Sequence, residues 1–177
     1  NVVAPATGFL QASAAAEAVL TELVLAHVGD AKKVADLYSG VGTFALALAA
    51  HGCQVSAYDG DERAIGALQA AVNKSAGRVN VHSEIRDLDR RPLQTKEFKK
   101  LDAVVLDPPR AGAQVTCEEL SMSAVPKVAY VSCNPGTFAR DARELVDGGY
   151  ALTRVTPVGQ FAWSPHVELV AEFERSV

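Results

Sequence analysis

Cys133 lies where a short apolar run ends and a helical pattern begins, a position suited to chemistry. The run Val128–Ser132 is typical of a buried strand, and Asn134-Pro135-Gly136 after Cys133 cannot extend it. We therefore expect Cys133 at the carboxyl end of a strand, the edge where open α/β sheets place their sites. A helix N-terminus just after it would favour the reactive thiolate. The alternative is a small buried apolar residue, since free cysteine is among the most buried residue types.

A glycine-containing loop supplies a second candidate site. The segment Asp36-Leu37-Tyr38-Ser39-Gly40-Val41-Gly42 lies between a predicted strand and a predicted helix, and glycine lets a backbone approach a ligand closely. Asp59 ends the next predicted strand and could accept hydrogen bonds from the two hydroxyls of a ribose. The glycines alone also suit a nicotinamide dinucleotide. Asp36 argues against a pyrophosphate, because its carboxylate would repel phosphate and suits the cationic end of S-adenosylmethionine.

The pattern D-L-x-x-G-x-G-x-F, followed by an acidic strand end, resembles class I methyltransferases. The resemblance implies S-adenosylmethionine as the cofactor, bound by a site that includes Asp36, Tyr38, Gly40, Gly42, Phe44 and Asp59. It also implies that Asp87, after the third predicted strand, holds the adenine amino group; a surface turn residue is the alternative. The residues around Gln11 indicate no role by themselves, and a helix-entry residue is the alternative there.

Alternating strand and helix patterns must position these residues. Strands are predicted at 33–38, 55–58, 79–82, 101–106, 128–132, 150–157 and 167–173, and helices at 13–27, 43–51, 62–74, 117–122 and 137–146. This order predicts an α/β fold, a mostly parallel, seven-stranded, doubly wound sheet of the Rossmann-like class I methyltransferase type. No helix separates the last two strands, so we expect an antiparallel last strand. The charged run 86–100 is predicted to be a solvated crossover loop.

Three further motifs narrow the resemblance. L-D-P-P-R-A-G at 106–112, V-S-C-N-P-x-T-x-A-R-D at 131–141 and H-V-E at 166–168 look like the RNA 5-methyluridine methyltransferase family. The match runs from Phe9 to Glu168. Arg110 also replaces the aromatic ring that amino-group methyltransferases usually carry after Asn/Asp-Pro-Pro, which points away from amine methylation.

The family resemblance implies specific roles for three side chains. Cys133 would add to carbon 6 of a uracil, and Glu168 would remove the proton from carbon 5. Asp107 would hold the uracil edge or the reacting groups and would border the cofactor, which Gln11, Gly40 and Asp59 bind. Without the family resemblance, Glu168 would be interpreted only as an acidic residue near the start of a strand. Nearby Trp163 could stack on a base, His166 is predicted to be structural, and Arg140-Asp141 is predicted to be a pair on a helix surface.

Composition limits the setting of this chemistry. The 177 residues are 49% hydrophobic and 21% charged, which fits one methyltransferase catalytic domain over 1–177. Because the chain starts at Asn1, we expect the C-terminal part of a longer protein. The three cysteines lack metal-ligand or disulfide spacing, so we expect no metal site and a location in the reducing cytoplasm. No apolar run reaches the length of a membrane span. We also expect a monomer.

The net charge of −4 argues against bulk electrostatic binding of nucleic acid. A nucleic-acid substrate would therefore need a local basic patch or a separate binding domain. The family resemblance implies tRNA or rRNA as the substrate and an N-terminal RNA-binding domain outside this chain. Three other functions stay open: a class I methyltransferase acting on a protein amide or small molecule, a non-catalytic nucleoside-binding domain, and a nicotinamide-binding domain.

Overall fold

The structure, a computed structural model, describes residues 14–159 and 167–175. These residues form five helices and seven strands. The helices are α1 Ala14–Val28, α2 Thr43–Ala50, α3 Glu62–Lys74, α4 Gln114–Ser121 and α5 Pro135–Asp147. The strands are β1 Lys33–Leu37, β2 Gln54–Asp59, β3 Asn80–Ile85, β4 Ala103–Leu106, β5 Lys127–Ser132, β6 Ala151–Gly159 and β7 Val167–Glu174.

All seven strands belong to one sheet, in the spatial order β3-β2-β1-β4-β5-β7-β6. The pairs among β1 to β5 are parallel, whereas β7 is antiparallel to both β5 and β6. The sequence prediction of a mostly parallel sheet with an antiparallel last strand is confirmed. The order reverses direction between β1 and β4, the switch point at which open sheets leave a crevice for ligands.

Helices cover both faces of the sheet because its central strands are apolar on both sides. In β4, Ala103 and Val105 join the core under α1, α2 and α3, while Val104 and Leu106 join the core under α4 and α5. Each of these four side chains is fully buried. Near-continuous apolar runs of this kind are typical of parallel strands that are covered on both faces. Two cores therefore hold the strand ends in fixed relative positions.

The segment between β3 and β4 differs from the expected solvated loop. Its charged residues face outward, but Leu88, Leu93 and Phe98 are each no more than 2% exposed and belong to the core on the α4–α5 face. Arg86 fixes the segment through hydrogen bonds to Glu97 at 2.7 and 2.9 Å and to two backbone carbonyls. The prediction of a solvated loop was wrong because three apolar residues, spaced among nine charged ones, pack into the core although the segment forms no helix.

Two further features concern element ends and membranes. Helix α4 begins at Gln114, three residues before the predicted start, and β3 runs to Ile85 rather than to residue 82. Among the described residues, none of the helices combines the length and apolar character that crossing a bilayer requires.

Candidate active site

The predicted site residues converge on one edge of the sheet. Asp59 ends β2, Asp107 follows β4 and Cys133 follows β5, so all three lie at carboxyl ends of parallel strands. Glu168 arrives from the opposite direction, as the second residue of antiparallel β7. Ser132 pairs with Leu169, so the same register puts Cys133 next to Glu168. The nucleophile and base candidates, 35 positions apart in the chain, are thus brought together by strand pairing.

A cavity of about 640 Å³ opens at this edge. Its volume lies in the range of small-molecule and cofactor sites. The lining comes from the β1–α2 loop, the ends of β2, β4 and β5, and the start of β7. It consists of Tyr38, Ser39, Gly40, Val41, Thr43, Phe44, Asp59, Asp61, Ala64, Asp107, Pro108, Pro109, Arg110, Cys133 and Glu168. The candidate cofactor loop and the candidate catalytic residues therefore share one cavity.

Cys133 sits just before the N-terminus of α5, as the sequence predicts. Asn134 caps the helix by accepting the Gly136 N–H at 3.0 Å, and Pro135 occupies its first turn. Burial raises the pKa of the Cys133 thiol, the carboxylates of Glu168 and Asp107 raise it further, and Arg110 opposes them. Burial and two acidic neighbours therefore oppose the thiolate that the helix terminus would favour, and the preference for thiolate stays a prediction.

The two acidic neighbours of the thiol also hold their protons more tightly than usual. Burial raises the pKa of Asp107 to about 7, with further contributions from Glu168 and Asp59. Burial likewise raises the pKa of Glu168, whose residue is 7% exposed, while the charge of Arg110 lowers it. Raised carboxyl pKa values in a cleft are typical of groups that transfer protons near neutral pH.

The glycine loop and Asp59 form the other half of the cavity. Each carboxylate oxygen of Asp59 accepts one backbone N–H, from Gly40 and from Asp61, both at 2.8 Å. A carboxylate oxygen has two lone pairs, so each can accept one more donor. Gly40 has φ of 53°, and a methyl group added to it would meet no atom within 4 Å. The space above this loop is therefore open to a ligand.

Asp36 and Tyr38 differ in their relation to the cavity: Tyr38 lines it and Asp36 does not. Asp36 is fully buried on β1, outside the cavity lining, and neither of its oxygens has a well-formed hydrogen bond among the described residues. Burial raises the pKa of Asp36 well above its usual range, with Asp107 and Asp59 adding to the rise and the Ala45 N–H opposing it. Burial therefore disfavours the charged form of Asp36 that the sequence argument assumed, and the contact of Asp36 with a cofactor stays a prediction.

The ring of Tyr38 lines the cavity at a left-handed φ of 61°. Its hydroxyl lies 3.1 Å from both Asp89 and Thr116, which ties the glycine loop to the segment after β3 and to α4. No sequence pattern predicts these two contacts. Phe44 is buried and lines the cavity, as predicted. Gly42, with φ of 90°, is required because any side chain there would collide with Leu68.

Of the four other predicted positions, only Asp87 lies among the described residues. Asp87 is exposed and accepts the N–H groups of Asp89 and Arg90 at 3.1 and 3.2 Å, so in this structure it stabilises a turn. Its contact with an adenine stays a prediction. Gln11 and Trp163 lie outside the described residues, as does His166. Within the described ranges, no group of three or more His, Cys, Asp or Glu side chains could hold a metal ion.

Arg110 is the functional candidate whose position the sequence did not reveal. It is the one cationic side chain among the described residues that line the cavity, and its charge lowers the pKa of both Glu168 and Cys133. The signal was present in Asp107-Pro108-Pro109-Arg110, where the arginine was interpreted only as the absence of a stacking ring.

Sequence comparison places the chain among RNA-modifying proteins. A family-wide profile described as tRNA (Uracil-5-)-methyltransferase matches residues 4–175. An RNA methyltransferase of Agrobacterium fabrum is 56% identical over 171 residues, covering 97% of this chain and 41% of the relative. The 23S rRNA (uracil(1939)-C(5))-methyltransferase RlmD of Halomonas elongata is 37% identical, covering 94% of this chain and 36% of that protein. The chain thus spans about two fifths of the length of these curated relatives.

Comparison with solved structures gives the same picture. The Pyrococcus abyssi tRNA (uracil-54, C5)-methyltransferase, solved with S-adenosyl-L-homocysteine, matches with a TM-score of 0.83 and 34% identity. The match covers 94% of this chain and 40% of that one. The magnesium protoporphyrin IX methyltransferase of Synechocystis, solved with bound SAM, matches at 20% identity and a TM-score of 0.67, which shows the fold alone. The predicted class I methyltransferase fold is confirmed.

Proposed function

Because the chain belongs to the tRNA (uracil-5-)-methyltransferase family, we propose that it catalyses S-adenosylmethionine-dependent methylation of carbon 5 of a uridine in tRNA or rRNA. The observation that supports this most directly is that Cys133, Asp107 and Glu168 line the same cavity as Gly40 and Asp59. A thiol, two carboxyl groups and a nucleoside-type binding loop in one cavity suit covalent activation of a pyrimidine beside a methyl donor.

The residues of the cavity fit S-adenosylmethionine. Asp59 keeps one free acceptor site on each oxygen for a pair of ribose hydroxyls, and Gly40 leaves its backbone open to the ligand. Asp59 and Asp61 add acidic groups to the lining, which favours a cation. When bound, this cofactor supplies an electrophilic methyl group on a positively charged sulfur.

The thiolate of Cys133 performs the first covalent step. Carbon 5 of uracil is too weak a nucleophile to accept a methyl group unaided. When the thiolate adds to carbon 6, a C–S bond forms, the C5–C6 double bond is lost, and the electron pair is delocalised over carbon 5 and the carbon-4 oxygen. Carbon 5 would then be nucleophilic enough to accept a methyl group from a cofactor held by Gly40 and Asp59, whose sulfur would leave as a neutral thioether. The target base must leave its stack to reach the thiol.

Glu168 completes the reaction. Once carbon 5 carries both its hydrogen and the new methyl group, Glu168 removes the proton, the C5–C6 double bond re-forms, and the C–S bond breaks to return the thiolate. The raised pKa of Glu168 makes it a stronger base than an exposed glutamate. Asp107, with a pKa of about 7, can hold a proton and donate a hydrogen bond to the uracil edge at neutral pH.

The test compares Cys133→Ala and Glu168→Gln in the intact protein that carries this chain, with 5-methyluridine in total RNA measured by mass spectrometry. We expect Cys133→Ala to abolish methylation while calorimetry finds S-adenosylmethionine binding nearly unchanged. Cys53→Ala is the matched control, because Cys53 is buried at the opposite edge of the sheet, where its thiol contacts the Ala31 carbonyl. Methylation by Cys133→Ala at the level of the control would refute the covalent mechanism.

The second variant reports on the base. Glu168→Gln should accumulate a covalent protein–RNA adduct on denaturing gels, because elimination of the thiolate needs removal of the carbon-5 proton. Wild-type protein should give the same adduct with RNA containing 5-fluorouracil, whose fluorine cannot be eliminated as a proton. If the fluorinated RNA is not trapped, the acceptor is not a uracil carbon 5, and a different methyl acceptor becomes the better interpretation.

A further inference from the structure

Two loops that border the cavity are fastened to each other. One is the loop 107–113, which carries Asp107 and Arg110, and the other is the segment 133–141, which carries Cys133 and the first turns of α5. Four side chains of the second segment bind backbone atoms of the first. We call these four side chains the clamp: Asn134, Thr137, Arg140 and Asp141.

The upper half of the clamp holds the backbone of Arg110. The Arg110 carbonyl accepts two hydrogen bonds, from the Asn134 side-chain amide at 2.9 Å and from the Thr137 hydroxyl at 3.1 Å. Asn134 follows Cys133 directly, so the backbone of the cavity's cationic residue is fixed against the residue next to the thiol. Arg110 is an exposed residue that lines the cavity, and its side chain forms no ion pair with another described residue.

The lower half of the clamp holds the end of the loop. Arg140 donates to the Ala111 carbonyl at 2.9 Å, and the Asp141 carboxylate accepts the Ala113 N–H at 2.6 Å. Gly112 lies between them with φ of 80°, and a methyl group added to it would come within 2.6 Å of both clamp side chains. The prediction that Arg140 and Asp141 form a pair on the helix surface is therefore wrong for Asp141. The Asp141 side chain is 0% exposed, whereas the Arg140 side chain is 40% exposed.

We propose that the clamp is a positioning device: by fixing loop 107–113 to the segment that follows Cys133, it holds the Arg110 guanidinium toward the thiol and Glu168. This inference rests on the proposed function and assigns a role to residues of the V-S-C-N-P-x-T-x-A-R-D motif beyond the nucleophile. Asn134, Thr137, Arg140 and Asp141 are positioning residues, since they act through Arg110. A free loop would spread the guanidinium over many orientations and lose its charge at the reacting atoms.

The experiment removes the upper half of the clamp with and without Arg110. Asn134→Ser keeps a good helix cap while losing the amide donor, and Thr137→Val keeps the shape of threonine while losing its hydroxyl. We expect the combined variant to lower kcat about tenfold, with the KM for S-adenosylmethionine within about twofold because Gly40 and Asp59 are untouched. In an Arg110→Ala background, the same two changes should cost less than about twofold, since the group they position is gone.

The kcat values in the two backgrounds decide whether the clamp acts through Arg110. A tenfold loss in both backgrounds would show that the clamp does not act through Arg110, and unchanged kcat in the first background would show that no positioning is needed; either overturns the proposal. Thr153→Val is the control for loss of a hydroxyl, because Thr153 donates to a carbonyl on β7 and lies away from the cavity. If the combined variant unfolds below the assay temperature, Thr137→Val alone carries the same comparison. Failure of the wild-type protein to methylate uridine would instead count against the proposed function.

Discussion

Replacing Asp141 with alanine should destabilise the fold by about 2–6 kcal/mol, because two buried hydrogen-bond donors would lose their acceptor. The carboxylate accepts the Ala113 N–H and the Tyr130 hydroxyl, both at 2.6 Å, and it is paired with Arg140. Ala113 and Tyr130 are 0% exposed, so both donors would lose their acceptor out of reach of solvent. Each stranded donor costs about 1–3 kcal/mol. Arg140 is 40% exposed and can turn to water.

The contribution of one donor can be isolated with Tyr130→Phe. This change removes the hydroxyl but leaves Asp141 with its other two partners, so it should cost about 1–2 kcal/mol. Asp141→Ala introduced into the Tyr130→Phe protein should then cost about 1–2 kcal/mol less than it does in the wild type, because one of the two stranded donors is already gone.

Urea unfolding of each variant, followed by circular dichroism, measures these free energies. Asp147→Ala is the matched control: it lies on the same helix and pairs with Arg143 at 2.6 Å, but the two side chains are 54% and 72% exposed. We expect this control to change the unfolding midpoint very little. If Asp141→Ala costs no more than Asp147→Ala, burial does not set the strength of this ion pair, and the reasoning is refuted.

Two further predictions concern the cavity and the segment after β3. A carboxyl group whose pKa rises from 3.8 to about 7 on folding binds more protons in the native state, so its contribution to stability falls as pH rises from 4 to 7. Asp107→Asn should therefore gain about 2–3 kcal/mol of stability relative to wild type between pH 5 and pH 8, because about two pH units lie between pH 5 and the folded pKa and each corresponds to about 1.4 kcal/mol. Urea titrations at the two pH values measure this gain, and an equal difference at both would contradict it. Phe98→Ala should cost about 3–5 kcal/mol, whereas exposed Lys99→Ala should cost almost nothing; equal midpoints would restore the solvated-loop interpretation.

Much of the site could be predicted because local patterns produce it. The apolar run before Cys133 and the Asn134-Pro135-Gly136 after it require a strand end followed by a helix start, whatever the rest of the chain does. Gly40 and Asp59 follow the same logic, since each ends or follows a strand in its own segment. Parallel strands put such ends at one edge of the sheet, so the sequence was enough to predict that these residues share a site.

Other features depend on partners far away in the chain, which no local pattern specifies. Glu168 reaches Cys133 only because β7 pairs antiparallel to β5 in a particular register. Asp141 is buried only because Tyr130 and the loop ending at Ala113 close over it. A charged residue in a helix looks the same in sequence whether it is solvated or buried.

The sequence by itself therefore determined the order of the elements, the glycine loop and the strand end that carries Cys133, because these follow from the periodicity and turn chemistry of neighbouring residues. Only the tertiary structure decided which acidic groups surround Cys133, the burial of Asp141 and the place of Arg110 in the cavity. The physical reason is that burial and charge–charge interactions depend on distances between atoms, and those distances are set by packing between segments that are remote in the chain.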